Sequence, residues 1–391
     1  MQGWIQRDAL KKRIVTSISE SPVTVLLGAR QVGKTTLARE VAAGFPEVTI
    51  FDLETPTGYQ ALAVTPELAL SQCRGLVVID EIQKMPKLFE VLRPICDEKD
   101  RRSDFLLLGS ASPSLVRGVS ESLAGRALFV SVPGFSLAEV GKREQSRLWL
   151  QGSFPRAFLS QPAAARRWLD SFSQSFLERD LPQLGVRIPA PTLRRFWTML
   201  AHYHGQTWNA AELGRAMSVS ANTANHHRDV LSGAFMIRVL LPWFENLAKR
   251  QIKAPKVYFR DSGLLHYFLG VRSMEDLWSN PRYGASFEGF ALEQTLMALG
   301  DEDAYYWKSQ GGAELDLLLL RGGKRYGFEF KCVDAPTFTK SMKSALGDLS
   351  LEHLYVAYPG ATAFPLHDRV TAMPLAHLPG RDDLAGGQNG I

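Results

Sequence analysis

Short, uniformly apolar runs recur through the first third of the chain, each followed by a segment whose apolar positions are spaced for a helix. Pro22–Leu27, Val48–Phe51, Leu76–Ile79, Phe105–Leu108 and Ala127–Ser131 are such runs. Strands of this kind, alternating with helices, predict a parallel sheet covered on both faces. The pattern then changes. Asn209 stands three residues before Glu212, opening a short helix that ends near Met217; Ser220 caps a second helix that runs to Gly233. Strand-like Met236–Leu240 and Lys256-Val-Tyr-Phe follow. From Ala313 the period becomes two: Glu314 and Asp316 alternate with Leu315, Leu317 and Leu319. After Gly322-Gly323, Glu329 and Lys331 alternate with Tyr326, Phe328 and Phe330.

The first strand runs directly into Gly28-Ala-Arg-Gln-Val-Gly33-Lys34-Thr35 and a helix, the context that a phosphate-cradling loop requires. Its glycines permit turns that aim N–H groups at phosphate oxygens, and the helix adds its positive dipole end. Gly28, Gly33, Lys34, Thr35 and Thr36 are therefore the expected ATP contacts, with Lys34 on the β- and γ-phosphates and Thr35 on Mg²⁺. The third run ends in Asp80-Glu81, and carboxylates at that end of a parallel strand point into the ligand crevice. Asp80 is expected to hold Mg²⁺ and Glu81 to orient or deprotonate the attacking water. Ser110, past the fourth strand, is placed to sense the γ-phosphate or to position water. Arg126 reads either as an ordinary surface arginine or as an arginine finger that acts on a neighbouring subunit's nucleotide.

Composition adds bounds. With 391 residues, 45% hydrophobic and 22% charged, the chain is globular and long enough for two or three domains. No apolar run approaches the roughly 18 residues of a spanning helix, so no membrane is expected and the protein is expected to be cytoplasmic. Cys73, Cys96 and Cys332 are scattered and read as reduced. Net charge is +5, but between Arg187 and Arg260 eleven Lys and Arg face three acids. That local excess fits either a phosphate-backbone contact or a solvated basic face.

The order GARQVGKTTL, VVIDEIQKMP, LLLGSAS and SLAGRA, continued by Phe176-Leu-Glu-Arg-Asp180 and Lys256 to Gly263, resembles bacterial and archaeal AAA+ ATPases with a C-terminal half of undefined role. The resemblance covers nearly the whole chain. It implies an oligomer, such as a hexamer, and a lid beginning near Gly152-Ser-Phe-Pro155-Arg156, with Arg156 a second sensor.

The two capped helices follow the helix-turn-helix plan, and the strands after them suggest the wing of a winged helix. Asn222, Asn225, His226 and Arg228 on the second helix, with Lys249 and Arg250 in the wing, are the expected DNA contacts. A lid or subunit contact is the competing role of such a domain. In the last third, a two-residue turn at Gly322-Gly323 places Asp316 opposite Glu329 and Glu314 opposite Lys331 on one face, with Leu315, Leu317 and Leu319 on the other. Facing like charges cost up to about 1 kcal/mol, which a bridging Mg²⁺ or Mn²⁺ would offset. The pattern resembles the PD-(D/E)XK nuclease fold. That resemblance implies metal ligands Glu288, Asp316 and Glu329 and a catalytic Lys331. An active nuclease, a binding-only relic and a solvated hairpin with a Glu314–Lys331 pair all fit the residues.

The expected chain is thus α/β. Residues 1–140 form a P-loop AAA+ core with a parallel five-stranded sheet, 141–190 a helical lid or linker, and 191–262 a winged-helix domain. Residues 263–378 form an α/β PD-(D/E)XK nuclease-like domain, and 379–391 a disordered tail. The expected function is Mg²⁺-ATP hydrolysis coupled to DNA, such as branched or broken DNA. The alternative is an ATP-dependent switch whose inactive nuclease-like domain binds a protein partner.

Overall fold

The computed structural model describes residues 5–110, 118–119, 121–244, 254–378 and Leu384. Two compact units result: one ends at Phe135 and takes in Gly233–Phe235, and the other begins at Ser136.

The first unit is built on β1 (Val23–Gly28), β2 (Val48–Asp52), β3 (Gly75–Asp80), β4 (Ser103–Ser110) and β5 (Ala127–Ser131), ordered β2-β3-β4-β1-β5. All neighbours pair in parallel. Every residue of β1 is buried, which explains its unbroken apolar run: helices cover both faces of the central strands. Val77, Ile79, Phe105 and Leu107 pack with Leu88, Phe89 and Leu92 of the Leu88–Asp97 helix in one core. Strand order places β1 beside β4, so the carboxyl ends of β1, β3 and β4 open into one crevice.

In the second unit, helices occupy most of Leu137–Gln183. The segment Gly152–Pro155 is tied to the turn before the Ser262–Leu269 helix. Asp261 is buried, caps that helix through Leu264 N at 2.7 Å, and accepts from Ser153 N at 2.6 Å and Ser153 Oγ at 2.9 Å. Gly263 is required there, because a Cβ would lie 2.1 Å from Gln151 O. Arg156, the expected second sensor, is exposed.

Asn209 and Ser220 cap their helices as expected, accepting from Glu212 N at 3.2 Å and Thr223 N at 3.1 Å. The helices Ala210–Met217 and Ala221–Gly233 lie in the chain between β6 (Gln206–Thr207) and the strands β7 (Ile237–Leu240) and β8 (Lys256–Phe259), which together form a three-stranded antiparallel sheet ordered β6-β8-β7. The chain beyond β7 then lies along Tyr306, with Trp243 N donating to Tyr306 O at 2.7 Å.

A mixed six-stranded sheet completes this unit: β9 (Ala304–Lys308), β10 (Glu314–Arg321), β11 (Lys324–Phe330), β12 (His353–Tyr358), β13 (Phe364–His367) and β14 (Val370–Pro374), ordered β13-β14-β12-β11-β10-β9. Gly322 and Gly323 both have positive φ, as a two-residue hairpin turn demands, and Leu317 pairs with Phe328 in the expected register.

The β10–β11 ladder runs from Arg321 and Lys324 to Leu317 and Phe328, so the expected facings of Asp316 with Glu329 and of Glu314 with Lys331 lie beyond its last pair. A bulge in β10 between Leu315 and Leu318 adds one residue against β9. Leu315 therefore packs with Leu318, Met342 and Val356 rather than sharing a face with Leu317 and Leu319. Glu314 pairs with Lys308 of β9, and its carboxylate contacts Lys308 and Lys256, while Lys331 contacts Glu329 and Asp316. The tail expected to be free lies outside the described residues except at Leu384, which is buried and whose carbonyl accepts from Tyr326 Oη at 3.1 Å.

Candidate functional site

In the first unit the loop between β1 and the Lys34–Ala42 helix wraps the crevice. Gly33 caps that helix at φ 93°, a left-handed conformation suited to glycine. Gly28 must be glycine for a different reason: a Cβ would sit 2.2 Å from Val132 O. Lys34 is buried, and its Nζ donates to Gly28 O at 3.0 Å and Ala29 O at 2.9 Å; burial pulls its ammonium down to about 8. Thr35 Oγ1 donates to Asp80 Oδ2 at 2.7 Å, joining the two residues expected to hold Mg²⁺. Thr36 is exposed on the same helix turn, and Ser110 ends β4 in register with Gly28.

Glu81 follows Asp80 in a left-handed conformation, φ 56°, and its carboxylate accepts from Gln83. Burial pushes both Asp80 and Glu81 above the usual carboxylate range. A positive φ at a bulky non-glycine residue aims its side chain where a regular strand end would not. Two acids that the sequence reading passed over also belong here. Asp52 pairs with Asp80 across the β2–β3 ladder, and Glu54 lies 3.6 Å from Arg30 of the loop and 3.9 Å from Lys84. The signal was available in Phe51-Asp-Leu-Glu54, a strand end with alternating acids. Thr35 and Asp80 with their bonded oxygens, at the start of the helix after the loop and the end of β3, fit a hydrated Mg²⁺ beside a nucleotide.

Arg126 is held within its own chain. Its Nε and Nη2 bond Asp97 at 2.6 and 2.9 Å, and Nη1 bonds Ala124 O at 3.0 Å. As an exposed pair this contact is weak and can exchange for another anion.

In the second unit the structure brings Glu288, Glu314, Asp316, Glu329 and Lys331 together, and adds Lys256. That lysine had read as part of the basic wing. Instead it is 4% exposed, with Nζ at 2.5 Å from Glu314, 3.3 Å from Glu288 and 3.8 Å from Asp316. Its place as the first residue of a fully buried strand was the missed signal. Lys331 contacts Glu329 at 2.5 Å and Asp316 at 3.9 Å, and Lys308 contacts Glu314 at 2.8 Å. The pairing of Glu314 with Lys331 is thus replaced by pairing with Lys256 and Lys308.

Burial, and then the neighbouring Asp316, pushes Glu329 up to about 8 and Glu288 up to about 7. Against burial, Lys256 and Lys308 hold Glu314 below the usual range. Repulsion between Asp316 and Glu329 is offset by the ammonium groups of Lys256 and Lys331 beside them. Among the described residues, no group of three or more His, Cys, Asp or Glu is arranged to hold a metal ion.

Of the expected DNA contacts, Asn222 and His226 are exposed. Asn225 accepts from Trp208 Nε1 at 2.7 Å, and Arg228 bonds Asp229 at 2.7 Å and lies 5.2 Å over the Trp208 ring. Both fold back onto Trp208 and do not point outward. Lys249 and Arg250 lie outside the described residues.

The strand order, the loop and the paired residues Thr35 and Asp80 define a P-loop ATPase of the AAA class, and a family profile described as an AAA domain matches residues 20–141. Profiles for two domains of unknown function, DUF8612 and DUF4143, match residues 142–275 and 283–378. The chain belongs to one family with two uncharacterized mycobacterial proteins, Rv2008c of Mycobacterium tuberculosis and Mb2031c of Mycobacterium bovis. Each is 48% identical over 371 residues, which is 95% of this chain and 84% of the relative. Among solved structures, a Walker-type ATPase of Pyrococcus abyssi is similar at 15% identity, with a TM-score of 0.49 over 68% of this chain and 96% of that one.

Proposed function

We propose that this AAA ATPase couples Mg²⁺-ATP hydrolysis to engagement of duplex DNA by its second unit. The observation that carries the ATPase half is the joined set Lys34, Thr35, Asp80 and Glu81 at the strand ends. Lys34 would exchange its two loop carbonyls for phosphate oxygens, Thr35 and Asp80 would hold Mg²⁺, and Glu81 would take a proton from the attacking water. Mg²⁺ supplies neutralisation of the charge that develops on the β- and γ-phosphates. Arg126, released from Asp97, is suited to a neighbour's nucleotide in an oligomer.

Support for DNA rests on two capped helices followed by an antiparallel sheet, the winged-helix plan, with Asn222 and His226 presented outward. Fluorescence anisotropy with a labelled duplex tests it. Binding should weaken at least about tenfold between about 50 and 200 mM salt. Absence of binding at low salt, together with ATP turnover indifferent to DNA, refutes the coupling.

One observation favours a second reading, a nucleotide-driven switch that holds a protein partner. Two cations of the basic middle region, Arg238 and Lys256, are buried and neutralised by Glu293 and Asp301 and by Glu288 and Glu314. The charge excess counted along the chain therefore does not all reach the surface.

A further inference from the structure

The carboxylates that resemble a metal-dependent nuclease site already have their cations. Lys256 Nζ sits among Glu288, Glu314 and Asp316, and over the rings of Tyr306 at 5.7 Å and Tyr258 at 6.0 Å. Tyr258 Oη donates to Glu288 Oε1 at 2.6 Å, and Phe330 N donates to Asp316 Oδ2 at 3.0 Å. Lys331 takes Glu329. A divalent ion of the Mg²⁺ kind needs near-octahedral oxygens at about 2.0–2.1 Å and tolerates little else. Here two ammonium groups occupy these acids, Lys256 at 3.3 Å from Glu288 and 3.8 Å from Asp316 and Lys331 at 2.5 Å from Glu329, so the residues present do not fit a divalent ion.

Chain geometry keeps that ammonium in place. Lys256 begins β8 and is paired on both sides, with Thr207 of β6 and Leu240 of β7. Its neighbour Ala254 accepts from Tyr306 Oη at 2.6 Å, which ties the approach to β8 onto β9. The lysine's backbone is held at the centre of one sheet, its approach is tied to a second, and its buried side chain ends among the acids.

We infer that Lys256 is a resident cation that stands where a nuclease of this resemblance would hold its metal, so that this carboxylate cluster takes up no divalent ion and leaves phosphodiester bonds intact. This rests on the nuclease-like resemblance, and it replaces the active-site alternative for Glu288, Asp316, Glu329 and Lys331. The half-exposed Lys331 is then an anion contact or a structural counter-ion rather than a catalytic group.

The test is Mn²⁺ binding to the nucleotide-free full chain, followed by electron paramagnetic resonance and by thermal unfolding. All arms carry Asp80→Asn, which removes the carboxylate expected to hold Mg²⁺ at the ATP site. The lysine-bearing protein should leave the free Mn²⁺ signal undiminished and show no Mn²⁺-dependent rise in Tm. Lys256→Ala vacates the cation position and should take up one equivalent of Mn²⁺, with a Tm that climbs with Mn²⁺ concentration. Lys256→Gln, a milder neutral change, serves if the alanine variant does not fold.

Uptake of Mn²⁺ by the lysine-bearing protein, or Asp316-dependent cleavage of linear DNA by the otherwise unaltered chain, overturns the inference and restores an active site. Failure of every Lys256 variant to gain Mn²⁺ overturns it differently. The cluster would then be no metal-type site at all, and the nuclease-like resemblance would fall while DNA binding stood untouched.

Discussion

Lys34 donates to two carbonyls of its own loop, bonds that only another set of well-placed oxygens can replace without cost. Lys34→Ala should abolish nucleotide-dependent protection against thermal unfolding, read as Tm with and without Mg²⁺-ATP. Arg126 makes a different prediction because its partner, Asp97, is exposed. Arg126→Ala should lower ATP turnover only at protein concentrations where the chain assembles, whereas Asp97→Asn should not lower it; equal loss in both variants would make the pair merely structural. At this scale the juxtaposition of Thr35 with Asp80 in the candidate ATP site was legible in the sequence because the loop is contiguous and Asp80-Glu81 sits at an apolar strand's end. Lys256 was not legible, since its partners lie 32 to 60 residues away and its neighbours in the chain are basic.

Two elements of the second unit depend on buried polar groups. Arg238 of β7 is paired with Glu293 on the Tyr283–Leu299 helix, bonding Glu293 Oε2 at 3.0 Å, and with Asp301 at 3.0 Å. Glu293→Ala leaves the guanidinium buried with one acid, and should cost about 3 kcal/mol by denaturant unfolding, the low end for a broken buried pair. His204 and His266 are buried, and burial drops them to about 3 and about 4. Both are neutral when folded, so the unfolded chain binds protons that the folded chain refuses as pH falls below about 6.5. Stability should therefore be fully present above that pH and fall by about 1.4 kcal/mol per pH unit for each histidine down to its folded pKa. Unfolding across pH 7 to 4 checks this, with a shallower slope in His266→Gln. Strands, caps and the hairpin turn were legible at this scale because each is signalled locally. The β10 bulge was not, because one extra residue against β9 leaves the alternation of acids and leucines unchanged while turning Leu315 to the other core.

For the molecule as a whole, the division of labour is between a unit that binds and hydrolyses nucleotide and a unit in which buried cations such as Arg238 and Lys256 are paired with acids. Net charge of +5 describes neither: a basic stretch in the sequence becomes, in part, an internal set of ion pairs. The whole-chain likeness to mycobacterial relatives extends across both units, so their chains are expected to carry the same pairing of ATP site and second unit. The most direct measurement is phosphate release from Mg²⁺-ATP by the full chain and by Glu81→Gln at matched ATP binding. The account predicts turnover in the unaltered chain and a loss of about 10²–10⁴-fold in the variant with ATP still bound. Equal rates in the two proteins, or no phosphate released by either, would contradict it.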